Sequence, residues 1–179
     1  MDPPKILHPR IITTDEYDSS CREPISEILP GLFLGNELGA GKLLFKTDSL
    51  EEREKALREK KVTHILCATF PSVSYFESKF IYHYVPIRDL EEESISTYIS
   101  RVYEFIEEGI REGGVFVHCS AGASRSASLV IAYIMKKWGS SYEDALDFVQ
   151  SKRACVQPNR GFEKELKSLA TETLFFPKL

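Results

Sequence analysis

Residues Ala127–Trp138 are apolar on almost every face of a helical wheel, which is the pattern of a helix packed inside a core rather than laid on a surface. The chain must therefore supply layers around it. Immediately upstream stands the short apolar run Val115-Phe116-Val117, which reads as a buried strand, and between the two lies a loop from His118 to Arg125.

The other segments alternate in the same way. Leu32-Phe33-Leu34, bounded by Gly31 and Gly35, predicts a strand. Ser49-Leu50-Glu51-Glu52 fits a capping box that opens a charged helix through Lys60, followed by apolar strands at Val62–Ala68 and Phe80–Val85. From Ile95, the positions Ile99, Val102, Phe105, Ile106 and Ile110 define an amphipathic helix that Gly113-Gly114 ends. Ser141 with Asp144 caps a helix carrying Ala145, Phe148 and Val149, and Pro158 precedes a last one with Phe162, Leu166 and Leu169. Strands alternating with helices predict the α/β class: one domain with a central, mostly parallel sheet flanked by helices, and a ligand beyond the carboxyl ends of the strands. Residues 1–24, rich in Pro, Ser, Thr and acidic side chains without periodicity, read as an arm, with structure starting near Ile25.

A length of 179 residues with 42% hydrophobic content suits a single core and excludes collagenous and wholly disordered classes. The net charge of -4 argues against a broad basic face for nucleic acid or anionic lipid. No apolar run reaches the roughly 18 residues that span a bilayer, and Met1-Asp2-Pro3-Pro4 has neither a signal pattern nor a myristoylation glycine, so a cytoplasmic or nuclear location is expected. Cys21, Cys67, Cys119 and Cys155 show no metal-ligand spacing and are expected as reduced thiols; His8, His64 and His83 show none either. The charges from Glu51 to Lys61 read as a solvated helix face.

The loop His118-Cys119-Ser120-Ala121-Gly122-Ala123-Ser124-Arg125 carries the chemistry. A loop at a helix N-terminus turns backbone N–H groups inward at the positive end of the dipole, and so holds a phosphate dianion without a basic surface. Gly122 allows the tight curl, Arg125 can close a bidentate fork on phosphoryl oxygens, and Cys119 lies at the base of the cradle as a nucleophile aimed at phosphorus. The competing reading of Cys119 is an inert buried thiol.

His118-Cys119-x5-Arg125 resembles the active-site motif of the protein tyrosine phosphatase superfamily. The Ala121–Ser126 pattern Ala-Gly-x-Ser-Arg-Ser, Pro158-Asn159-Arg160-Gly161-Phe162 and the opening Ile28–Gly35 are similar to small, atypical dual-specificity phosphatases. The likeness runs over residues 25–172, leaving the arm and a tail at 173–179 outside it. It implies a phosphatase fold with the phosphate loop between strand and buried helix, and a protein phosphatase acting on phosphotyrosine and phosphoserine or phosphothreonine through a cysteinyl-phosphate. No metal or cofactor is implied, phosphorylated proteins are the expected partners, nucleic acid and membrane are not, and a monomer is favoured.

The resemblance also distributes roles. Cys119 attacks, Arg125 and the amides of Ser120, Ala121, Gly122, Ala123 and Ser124 hold the phosphoryl group, and Ser126 donates to the sulfur as it leaves. Asp89, directly after Pro86-Ile87-Arg88, supplies the proton; Glu91, Glu92 and Glu93 are its chemical alternatives. His118 and Asn159 act as supports. Cys67 resembles the strand-end cysteine that traps the oxidised nucleophile in tensin-homologue relatives, against the simpler reading of a small sulfur side chain filling an apolar strand end. The alternatives are a phosphoinositide or RNA 5′-phosphatase using the same loop, against which count the loop's lack of lysines and the acidic balance of the chain, and a module that binds phosphorylated partners without turnover.

Overall fold

The computed structural model describes residues 13–42 and 49–169. The tail at 173–179, most of the arm and His8 lie outside them. In chain order the elements are α1 (Thr14–Arg22), β1 (Ile25–Leu29), β2 (Leu32–Gly35), α2 (Leu50–Glu59), β3 (His64–Cys67), β4 (Ile81–Tyr84), α3 (Ser96–Glu112), β5 (Val115–His118), α4 (Arg125–Trp138), α5 (Tyr142–Lys152) and α6 (Arg160–Leu169). The sheet runs β1-β2-β5-β3-β4. β1 and β2 form an antiparallel hairpin about Pro30-Gly31, where Gly31 takes a φ of 80°, and every other pairing is parallel. The mostly parallel α/β sheet expected from the sequence is therefore the observed one.

Position in the sheet explains the apolar run of β5. It is the central strand, paired on one side with β2 and on the other with β3, and all four of its residues are buried. Gly35 and Cys67 both stand opposite His118 in register, so three strands end at one level and Cys119 is the first residue beyond that edge. One sheet face packs against α3, α4 and α5, and α6 lies on α4 and α5. There α4 is buried without interruption from Ser126 through Met135, as its apolar periphery demands. The other face, with Phe33, Ile65 and Phe116, is covered by Leu57 of α2 together with Val62, Phe76 and Phe80.

Local caps close the elements much as the spacing predicts. The Ser49 and Ser141 hydroxyls accept from the Glu52 and Asp144 amides at 3.4 and 3.1 Å, and Gly113 ends α3 with a φ of 149°. Ile95 offers no cap for α3; the Glu165 carboxylate of α6 instead accepts from the Ile95 and Ser96 amides at 2.9 and 3.1 Å.

The segment expected as an irregular arm contains a helix, α1. Its cause is a reciprocal capping box between Thr13 and Glu16. No residue of α1 is buried, so no apolar periodicity announced it. Polar contacts hold it to the body: Asn36 Nδ2 donates to the Cys21 carbonyl at 3.1 Å, and the Cys155 amide donates to Ser20 Oγ at 3.2 Å.

Candidate functional site

The loop after β5 is held from outside by its carbonyls. Ser120 O accepts from the Glu37 amide at 3.3 Å, Ala123 O from the Gln157 amide at 2.8 Å, and Ser124 O from the Ser128 amide at 2.8 Å. Ala121 O and Gly122 O accept from the Arg153 guanidinium at 3.1 and 2.9 Å. In a trans peptide the C=O and the following N–H point in opposite directions. With the carbonyls from Ser120 to Ser124 fixed outward, the amides from Ala121 to Arg125 face the interior of the curl. The Gly122 amide accordingly donates to Cys119 Sγ at 3.2 Å, and Ser126 Oγ donates to the same sulfur at 3.1 Å. Gly122 takes a φ of 68°, and a Cβ there would lie 2.4 Å from the Gly35 carbonyl, so the curl needs glycine at this position.

Arg125 begins α4 and folds back over the loop. Its Nη2 donates to Ser120 Oγ at 3.1 Å; the Ser120 hydroxyl in turn donates to Glu37 Oε1 at 2.7 Å, and Lys42 Nζ lies 2.5 Å from Glu37 Oε2. Burial alone would raise the Glu37 carboxyl, but the hydrogen bonds from Lys42 and Ser120 outweigh it and hold its pKa below the ordinary value. Glu37 thus fixes the Ser120 proton away from Arg125. The Arg125 Nε is buried and has no hydrogen-bond partner among the described residues, leaving a donor reserved on the cradle side.

Asp89 arrives from the loop after β4. Its Oδ1 accepts from Ser124 Oγ at 2.7 Å and from Asn159 Nδ2 at 2.9 Å, while Oδ2 lies 3.9 Å from Arg125 Nε. Asn159 also accepts from the Phe162 amide at 3.0 Å, which joins the Asp89 loop to the start of α6. Gly161 packs on the same loop, since a Cβ there would meet the Glu91 carbonyl at 2.0 Å. Of the four neighbouring carboxylates, the structure brings Asp89 to Ser124 and Arg125 and pairs Glu93 with Arg88; Asp89, Glu91 and Glu92 are all exposed. Ser124, expected among the phosphate-holding residues, turns its hydroxyl to Asp89.

His118 stacks on Phe116 at 5.6 Å between ring centres. Burial pushes its pKa down to about 4, with only partial relief from the Cys119 backbone and the Glu37 carboxylate, so the ring is neutral near pH 7. The unfolded chain binds a proton at this site between its ordinary value of about 6.5 and 4 that the folded chain refuses, so stability rises with pH across that window. Unfolding free energy should fall by up to about 3 kcal/mol from His118 between pH 7 and 4. Urea titrations of His118→Phe should show a flatter slope there; an unchanged slope would assign the acid sensitivity elsewhere, first to the half-buried His83, whose pKa burial and Arg101 also lower.

Cys67 is buried at the end of β3, its Sγ 3.1 Å from Thr69 Oγ1. It alternates with Leu66 and Ala68, which share the helix-side core with Cys119, and so points to the opposite sheet face. A bond between the two sulfurs requires the loop to move. Two contributors have no mark in the sequence pattern, Glu37 and the fully buried Arg153. Arg153 stands five positions before Pro158-Asn159, and only its tertiary contacts single it out.

Residues 44–172 match the family described as dual specificity phosphatase, catalytic domain. The chain is 36% identical over 172 residues to the human serine/threonine/tyrosine-interacting protein, covering 92% of this chain and 72% of that one. It is 33% identical over 144 residues to dual specificity protein phosphatase 1B of Arabidopsis thaliana, covering 80% of each. The crystal structure of the human tyrosine phosphatase-like serine/threonine/tyrosine-interacting protein superposes with a TM-score of 0.74 at 37% identity, covering 82% of this chain and 95% of that one. That of human DUSP28 superposes with a TM-score of 0.72 at 27% identity, covering 84% and 95%. The chain belongs to the dual-specificity phosphatase family, within the protein tyrosine phosphatase superfamily.

Proposed function

We propose that the protein hydrolyses phosphotyrosine and phosphoserine or phosphothreonine in proteins through a cysteinyl-phosphate. The observation that supports this best is the inward set of loop amides around Cys119, closed by an Arg125 Nε that makes no hydrogen bond among the described residues and lies 3.9 Å from Asp89 Oδ2. The Cys119 thiolate attacks phosphorus, forming the P–S bond as the bond to the leaving oxygen breaks. Arg125 and the amides stabilise the charge on the non-bridging oxygens. Asp89 gives its proton to the departing alkoxide or phenoxide; two donors already occupy Oδ1, so Oδ2 is the oxygen that carries the proton. The resulting carboxylate then takes a proton from water, which attacks phosphorus and breaks the P–S bond, while Ser126 Oγ donates to the leaving sulfur. Phosphate leaves and the thiolate is restored.

An aryl phosphate, a phosphotyrosine peptide and a phosphothreonine peptide should all turn over in the presence of chelator. Tight binding of the peptides without turnover would support the second reading, a module that only binds phosphorylated partners. The names of the relatives called interacting and phosphatase-like favour that reading; the presence of both Cys119 and Arg125 opposes it.

Asp89→Asn should lower turnover of phosphopeptides by about 10²–10⁴-fold, the usual contribution of a general acid. It should cost far less on aryl phosphates whose leaving groups need no proton, and the decline of rate with rising pH should flatten. The same pattern in a Glu91 or Glu92 variant, with Asp89→Asn unaffected, would move the acid to that residue.

A further inference from the structure

Arg153 ends α5 and is buried, at 1% exposure, yet its hydrogen bonds run to uncharged oxygens. Nε and Nη2 donate to Gly122 O and Ala121 O, and Nη1 donates to Glu23 O at 2.9 Å and to Ser26 Oγ at 3.0 Å. A guanidinium keeps its charge at every accessible pH, and burying one without a carboxylate is costly. Among the described residues no carboxylate is ion-paired with it. Cys21 lies beside it, its thiol pushed up to about 11 by burial and by the hydrogen bond with Cys155, and so it brings no negative charge near pH 7. Beyond the two loop carbonyls that Arg153 grips lies the interior of the loop, where an oxyanion would sit.

We infer that Arg153 is a positioning residue and a built-in cation of the oxyanion site: it aims the Gly122 and Ala123 amides into the cradle, and its unmatched charge is balanced when an oxyanion enters. The inference rests on reading the Cys119 loop as such a cradle. The charged groups facing the cradle itself are Arg125 and Asp89, with Glu37 committed to Lys42 and Ser120 and His118 neutral. Arg153 thus adds a second positive charge behind the loop, in a position where it cannot touch substrate.

Alkylation of Cys119 tests this without any turnover. Iodoacetate and iodoacetamide both need the thiolate, so the ratio of their rates, read on the Cys119 peptide by mass spectrometry, reports the anion preference of the cradle alone. Wild type should favour iodoacetate. Arg153→Gln, which keeps hydrogen-bond donors and loses the charge, should lower that ratio about tenfold, while Arg153→Lys should hold it within about threefold. An unchanged ratio in folded Arg153→Gln overturns the inference, as does an equal loss in Arg153→Lys. If Arg153→Gln does not fold, the lysine variant decides alone: a preserved ratio supports the charge and a tenfold loss refutes it. No preference in wild type would overturn the cradle reading first, and this inference with it.

Discussion

Cys119→Ser should lower turnover of every phosphomonoester by at least about 10⁴-fold, the scale on which removal of a covalent nucleophile acts. A serine hydroxyl is almost wholly protonated where a thiol ionises, and no base is placed to activate it: Ser126 is a donor to the sulfur, and Asp89 is held at Ser124 and Asn159. The cradle does not depend on the sulfur. Its carbonyls are fixed from outside by Glu37, Arg153, Gln157 and Ser128, so the variant should still bind sulfate, read by calorimetry, with an affinity equal to or above that of wild type. Tighter binding is the expected direction because the proposed mechanism puts a thiolate, which repels the anion, where the variant has a neutral hydroxyl. Measurable hydrolysis by this variant, with contaminating phosphatase excluded, would sink the cysteinyl-phosphate mechanism.

Arg125→Lys is the second large effect. The arginine does two things at once with one planar group: Nη2 is anchored on Ser120 Oγ at 3.1 Å, and Nε, 3.9 Å from Asp89 Oδ2, keeps its hydrogen unbonded among the described residues. Lysine has a single ammonium and can satisfy Ser120 or the substrate but not both in one plane. The loss of one transition-state donor in a water-excluded site is worth about 10²–10³ in rate, and kcat/KM should fall by at least that much with KM for aryl phosphate raised. Wild-type kinetics in Arg125→Lys would mean that the loop does not grip phosphate through this side chain. Because Ser120 and Glu37 act through Arg125, Ser120→Ala should give a milder version of the same defect, visible mainly in KM.

What was legible in the sequence is what depends on neighbours along the chain. The mostly apolar α4, the strand before it, the Ser49 and Ser141 caps and the Gly113 stop are patterns of a few consecutive residues, and each lies where its pattern put it. Cys119, Gly122, Arg125 and Ser126 share one short segment, the loop and the first residues of α4, for the same reason. The supports are different, because their partners are remote: Arg153 reaches Glu23 across 130 positions, Glu37 meets Ser120 across 83, and Glu165 caps Ile95 across 70. No periodicity encodes such pairs. The helix α1 is an intermediate case, since the Thr13-x-x-Glu16 box was there to be read but no apolar face accompanied it. The family resemblance points to Asp89 by its place after Pro86-Ile87-Arg88, and its contacts with Ser124 and Asn159 distinguish it from the three glutamates at 91–93.

The most direct test of the covalent mechanism is to trap the intermediate. Wild-type protein mixed with a radiolabelled aryl phosphate and quenched in acid within the first turnover should carry covalent phosphate in near-stoichiometric amount on the peptide containing Cys119, and Cys119→Ser should carry none. Steady turnover with no labelled protein, or label on any other residue, would contradict the account.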